Sequence, residues 1–182
     1  ALCNYLEDFL EPSSFQDYCP NGLQVEGRKD IKKIATGVTA SLKTIQAAVK
    51  CRADALIVHH GIFWQGDSFC ITGTKRKKLN ILLENNLSLL SYHLPLDAHR
   101  TVGNNWKAAI DLAWENLEPF GIFGGSTIGV KGTFDPLPVE EFQNKIEKYY
   151  EHPAHVALGG KKEVCSAALV SGGAYRSLND AA

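Results

Sequence analysis

The chain has 182 residues, of which 45% are apolar and 21% charged, with a formal net charge of −1. That is enough chain for one good core, and the composition excludes disordered, collagen-like and disulfide-scaffold classes. The balanced charge supplies no global field for capturing nucleic acid or an anionic membrane, so neither is an expected partner. Five cysteines at 3, 19, 51, 70 and 165 show no C-x-x-C spacing and their count is odd, which argues against a zinc ribbon, a thioredoxin motif or a closed disulfide framework. Buried thiols in a reducing compartment are the expectation. No apolar run nears the roughly 18 residues of a membrane span, and ALCNYLEDFLEP lacks a basic leader, so the expected location is cytoplasmic. Methionine is absent even at position 1, and SLNDAA opens a helix without closing it. The natural protein is therefore expected to run past Ala182.

In chain order, Leu2, Leu6, Phe9 and Leu10 share one helical face over 2–10. Cys19-Pro20-Asn21-Gly22 is a turn leading into LQV and a charged loop. Residues 31–38 read as a strand, and 41–50 as a helix capped by Thr39 or Ser41. The fully apolar run 55–58 suits a strand covered on both faces. A glycine-punctuated loop over 61–74 precedes a helix at 75–86, a strand at 87–92 and a helix at 104–116. This alternation predicts an α/β fold, a parallel-sheet βαβ core with helices on both faces, over residues 1–118. After Pro119 the pattern changes to a loop around Gly121, Gly124 and Gly125 and a strand at 127–134. A helix at 139–150 and a strand at 155–159 follow. The segment 119–162 reads as a small α+β insertion subdomain. The strand at 164–172 begins a segment, 163–182, expected to return to the α/β core.

The chemistry gathers at two strand ends. In Ala55-Leu56-Ile57-Val58-His59-His60-Gly61, two histidines stand where an apolar strand becomes a loop, the position at which α/β sheets bind ligands. Adjacent strand residues point to opposite faces, so His59 and His60 suit two neighbouring metals better than one shared ion. Ser91-Tyr92-His93-Leu94-Pro95-Leu96-Asp97-Ala98-His99 follows a second such strand. Parallel neighbours lie about 4.8 Å apart, which would bring His59, His60, His93 and Asp97 into one cleft. Imidazole with carboxylate is a ligand set for zinc, manganese, iron or nickel. Asp97 between two ions would bridge them, and such a pair lowers the pKa of a bound water and clamps a phosphoryl or carbonyl oxygen. His93 and His99 are the weaker candidates, serving to orient a ligand or cap a loop. His152 and His155 lie in a polar turn and receive no role. Lys75-Arg76-Lys77-Lys78 opens a helix, where it either meets a substrate phosphate or forms a solvated face. Trp64 either stacks on a ligand ring or, with Phe63, belongs to the core. No Walker A, G-x-G-x-x-G or G-x-S-x-G pattern is present.

Pro20-Asn21-Gly22-Leu23-Gln24-Val25, Thr36-Gly37-Val38-Thr39-Ala40-Ser41, His59-His60-Gly61-Ile62-Phe63-Trp64 and His93-Leu94-Pro95-Leu96-Asp97-Ala98-His99 together resemble the GTP cyclohydrolase I type 2-like family, also called NGG-interacting factor three-like or YbgI-like. The resemblance implies a dinuclear site, with His59, His60 and Asp97 as ligands and His93 near the metals. It also implies a toroidal homohexamer and a hydrolase acting on a small, nucleotide-like substrate. The family's closing H-H-x-x-E motif does not occur in these 182 residues. The alternative function is a non-catalytic metal-binding scaffold or regulatory interaction protein.

Overall fold

The computed structural model describes residues 1–181. The chain divides into two compact units, Ala1–Leu96 and Asp97–Ala182.

The first unit runs α1 (Leu2–Leu10), β1 (Gly22–Val25), β2 (Ile34–Thr39), α2 (Leu42–Lys50), β3 (Ala55–His60), α3 (Gly73–Glu84) and β4 (Ser88–Ser91). Its sheet has the order β1-β4-β3-β2. Strands β2, β3 and β4 are parallel, joined by the expected helical crossovers, while β1 pairs antiparallel with β4. The sequence offers no strand signal at β1, because four residues after a Pro-Asn-Gly turn carry too little alternation.

Alternation along the central strands divides the core. Leu56, Val58 and Leu89 face α2 and α3, meeting Ile45, Ala48 and Leu82. Ala55, Ile57, Leu90 and Tyr92 face the other way, onto Leu2, Leu6 and Leu10 of α1. Helices thus cover both faces, as predicted. Ser41 caps α2, its Oγ accepting from Thr44 N at 3.1 Å. The entries to β2 and β3 are tied by Asp54, whose carboxylate accepts from Lys32 N and Lys33 N at 2.8 Å and from Arg28 Nη1 at 2.9 Å. The Lys32 and Lys33 amides hold its carboxyl below the usual range, aided by Arg28 and against a smaller opposing effect of burial.

After α4 (Leu94–Ala98), which spans the division, the second unit runs α5 (Asn104–Asp111), β5 (Glu115–Phe123), β6 (Ser126–Pro138), α6 (Val139–Tyr150), β7 (Glu163–Leu169) and α7 (Leu178–Ala181). Its antiparallel sheet has the order β5-β6-β7. Trp106, Ala109, Trp114 and Val130 form its core, with Phe134, Phe142 and Ile146 packed against them.

Several sequence expectations are corrected here. The helix expected to reach residue 116 stops at Asp111, because Ala113 turns left-handed at φ 56° and sends Trp114 into the core. The expected loop around Gly121–Gly125 is instead β5 and its hairpin. Gly124 and Gly125, at φ 56° and 83°, make a two-residue turn of the kind that matches strand twist. Pro119 is accommodated because β5 is an edge strand, where a missing N–H is tolerated. Residues 155–159 form no strand, since β6 already has β5 on one side and β7 on the other. The strand expected to rejoin the first sheet, β7, pairs instead with β6, from Val130↔Leu169 to Pro138↔Glu163. Of the five cysteines, all unpaired, only Cys19 is buried; the other four are exposed, three of them on the outer sides of α1, the α2 terminus and edge strand β7.

Two substitutions separate packing from polarity in the first unit. Leu56→Ala, at a position with no exposed surface, is expected to cost about 3 kcal/mol in urea unfolding. The Tyr92 hydroxyl, buried in the α1-side cluster, has no hydrogen-bond partner among the described residues, and burial pushes the phenol up to about 12. Tyr92→Phe keeps the ring and removes that orphaned group, so stability in the same assay is expected to hold or rise by up to about 1 kcal/mol.

Candidate metal centre

Parallel strands finish on one side of a sheet, and here three of them deliver polar residues together. Thr39 ends β2, His59 and His60 end β3, and His93 lies two residues beyond β4. The potential ligand atoms of His59, His60 and His93 lie within 4.8 Å of one another. Ring centroids are 4.5 Å apart for His59 and His60, 4.9 Å for His59 and His93, and 5.6 Å for His60 and His93. Strict alternation would send His59 and His60 to opposite faces. At the last residues of a strand, however, side chains can lean along the strand axis past the sheet's end, and both rings do meet there.

Each imidazole is oriented through Nδ1. His59 Nδ1 lies 3.1 Å from the Tyr92 carbonyl, which can only accept, so Nδ1 carries the proton. His93 Nδ1 donates to Asp17 Oδ1 at 2.9 Å. His60 Nδ1 is 3.2 Å from Thr39 Oγ1. In a neutral imidazole protonated at Nδ1, the lone pair resides on Nε2, the form in which histidine ligates a cation.

Asp17 is the residue that sequence reasoning missed. Its side chain is 2% exposed, yet it is fully satisfied. Besides His93, it accepts from Leu94 N at 3.0 Å, Asn21 Nδ2 at 3.0 Å and Cys19 N at 3.1 Å. Burial alone would raise its pKa, but the bonds from His93, Leu94, Asn21 and Cys19 outweigh that and bring it down to about 2. The Pro-Asn-Gly-Leu-Gln stretch thereby gains a structural meaning beyond a turn. Asn21 Oδ1 accepts from His93 N at 2.8 Å, holding the loop after β4. Gln24 Oε1 accepts from Ile62 N at 2.9 Å while its Nε2 donates to Pro20 O at 2.9 Å, holding the loop after β3. A Cβ at Gly61 would fall 2.2 Å from Gln24 Oε1, so a side chain there would have to push the Gln24 amide out of this clamp. Cys19, buried beside the clamp, has its thiol pushed up by burial and stays protonated at neutral pH.

Trp64 packs against the cluster, edge-on to His93 at 5.2 Å and tilted to His60 at 5.8 Å. Tyr18 also meets His93 edge-on, at 5.1 Å. Phe63 instead packs against the α2–α3 side of the core, and Lys75 Nζ lies over its ring at 5.2 Å. Lys75 also donates to Ser68 O, so this member of the basic run braces the loop after the histidines.

Asp97, on α4, belongs to the second unit. It is buried, and its Oδ1 accepts from Ser171 Oγ at 2.6 Å and Asn104 Nδ2 at 2.8 Å. His99 Nδ1 lies 3.3 Å from both Thr101 N and Val102 N, capping a loop. His152 and His155 are exposed. No helix among the described residues is long and apolar enough to cross a membrane.

The whole chain has relatives. A GTP cyclohydrolase 1 type 2 homolog of Chlamydia trachomatis is 52% identical over 182 residues, covering 99% of this chain and 72% of the relative. The solved structure of protein ybgI, described as of unknown function, superposes with a TM-score of 0.84 at 38% identity over 94% of this chain and 68% of its own. TTHA1606 from Thermus thermophilus gives a TM-score of 0.89 at 32% identity over 100% and 73%. The profile of the Duf34/NIF3 (NGG1p interacting factor 3) family matches residues 1–182. With its full length matched and half its residues shared with a relative, the chain belongs to the Duf34/NIF3 family.

Proposed function

We propose that the imidazole cluster holds two divalent metal ions, drawn from zinc, manganese, iron or nickel, and that the protein is a metal-dependent hydrolase of a small, nucleotide-like substrate. The observation that carries this reading is the convergence of His59, His60 and His93 within 4.8 Å, each with Nδ1 engaged. Ligands gathered within that distance can be divided between two ions roughly 3.5–4 Å apart. The family resemblance adds Asp97 as the carboxylate ligand. The name carried by the Chlamydia relative, GTP cyclohydrolase 1 type 2 homolog, supports a nucleotide-like substrate. The unpaired thiols at all five cysteines support a reducing, cytoplasmic setting.

Bound ions would supply Lewis acidity, lowering the pKa of a water and polarising a carbonyl or phosphoryl oxygen. The protein's own part is orientation. Asp17 keeps the proton of His93 on Nδ1, the Tyr92 carbonyl does the same for His59, and Trp64 and Tyr18 shield His93 from bulk water.

Elemental analysis of purified protein should give close to two ions per chain, and the loaded protein should turn over GTP or another member of a nucleotide and phosphoester panel. Metal-loaded protein inert on every substrate would favour the scaffold reading, and protein with no bound metal after reconstitution would sink both. His60→Ala should lower the ion count with little change in melting temperature, since its ring lies at the sheet's end and outside the cores. Asp17→Asn removes the charged acceptor behind His93 and should weaken metal affinity about 10- to 100-fold, read by chelator competition.

A further inference from the structure

The second unit contains a cavity of about 550 Å³ between the start of α5, the end of α6 and the exit of β7, separate in residues from the histidine cluster. That volume lies within the roughly 300–1,000 Å³ of small-molecule sites. We infer that this cavity binds a flat ring carrying an anionic group, of the size of a nucleoside monophosphate, with Lys107 meeting the anion and Tyr149 and Tyr150 meeting the ring.

Its walls are of three kinds. Tyr149 and Tyr150 stand edge to face, centroids 4.9 Å apart at 89°, and Tyr150 is half exposed. With Val102 on the same lining, they offer aromatic and apolar surface to a planar ring. Lys107 is the cation among the lining residues. Asp111, outside the lining, pairs with Lys107 and accepts from Tyr149 Oη at 3.1 Å, so one carboxylate sets both the cation and a ring. The third wall is rigid and polar. Asn105, 3% exposed, donates to Ile128 O at 2.8 Å and Ser171 Oγ at 3.1 Å. Asn104 and Ser171 line the cavity, and both donate to Asp97 Oδ1. A ligand seated there would therefore touch the two residues that position Asp97. A cation beside aromatic surface, against a wall already ordered by hydrogen bonds, is the combination that recognises an anionic heteroaromatic ligand.

The cavity's chemistry does not depend on metal, which makes it separately testable. Calorimetric titration of chelator-treated and metal-loaded full chain with guanosine 5′-monophosphate, guanosine and ribose 5-phosphate isolates ring and anion. The monophosphate should bind at least about tenfold more tightly than either fragment, in both metal states. Lys107→Met, at an exposed position, should abolish the advantage over guanosine. Val102→Trp, which fills the cavity from a half-exposed position, should abolish binding of all three with an unchanged circular dichroism spectrum. Equal binding of the three ligands overturns the inference, as does absence of monophosphate binding in both metal states. Binding that requires metal and ignores both substitutions overturns it too, while leaving the metal reading intact.

Discussion

The buried carboxylate of Asp17 is the constraint on which the histidine site rests. An ionised acid at 2% exposure is costly unless it is surrounded by donors. Four donors surround this one, and they come from both sides of a long sequence gap: Cys19 N and Asn21 Nδ2 nearby, His93 Nδ1 and Leu94 N from the loop after β4. Satisfying the charge therefore requires the 17–21 turn to sit on that loop. The same requirement fixes the ring of His93 and the position of its proton. Stability and site geometry are here one set of hydrogen bonds, because any rearrangement that released His93 would also strand a charge.

The sheet supplies the rest. Parallel pairing sets Thr39 opposite His60 and Val58 opposite Ser91, so the carboxyl ends of β2, β3 and β4 lie level. Tyr92 shows how tightly this region is determined. Its backbone N–H bonds the Val58 carbonyl at 3.0 Å, its own carbonyl receives His59 Nδ1, and its phenol is sent into the apolar cluster beneath α1. The orphaned hydroxyl is the cost of placing residue 92 where its carbonyl can orient a histidine while residue 93 points the other way, into the cluster. On the opposite flank, Gln24 holds the Ile62 amide and lies directly over Gly61, so the clamp closes immediately after the histidine pair.

Much of this was legible in the sequence, for identifiable reasons. Ala55–Val58 and Leu87–Leu90 announce themselves as buried strands because both their faces are covered, and the histidines follow them directly. The helix at α2 was marked by Ser41 and by its apolar spacing. The second unit was harder. There a half-exposed edge strand containing Pro119 and a glycine turn resemble a loop, and the alternating residues 155–159 resemble a strand with no sheet position left for it. Asp17 was illegible for a different reason. A carboxylate in a polar segment ordinarily faces water, and only the return of the chain at residues 93–94 supplies the donors that bury it. The opposed expectation for His59 and His60 failed because alternation describes the middle of a strand and not its last residues.

Among histidines that converge on one point, the partner of the other nitrogen decides which lone pair faces a cation; His152, with Nδ1 2.7 Å from the Pro153 carbonyl, meets that condition but stands outside the cluster. His99 is instructive. Its Nδ1 sits between the N–H groups of Thr101 and Val102, which can only donate, so the lone pair is on Nδ1 and a neutral ring carries its proton on Nε2. That ring closes a turn and has spent the electrons a cation would need. His59 and His93 face the reverse situation, an acceptor at Nδ1, and so place the lone pair on Nε2. Position along the chain does not separate these residues, since His93 and His99 belong to one short motif. Acceptor or donor at Nδ1 does, and the acceptor behind His93 is an ionised, buried carboxylate that fixes the ring's orientation as well as its tautomer. The same test applied to any histidine pair at a strand end would sort ligands from caps before a metal is ever measured.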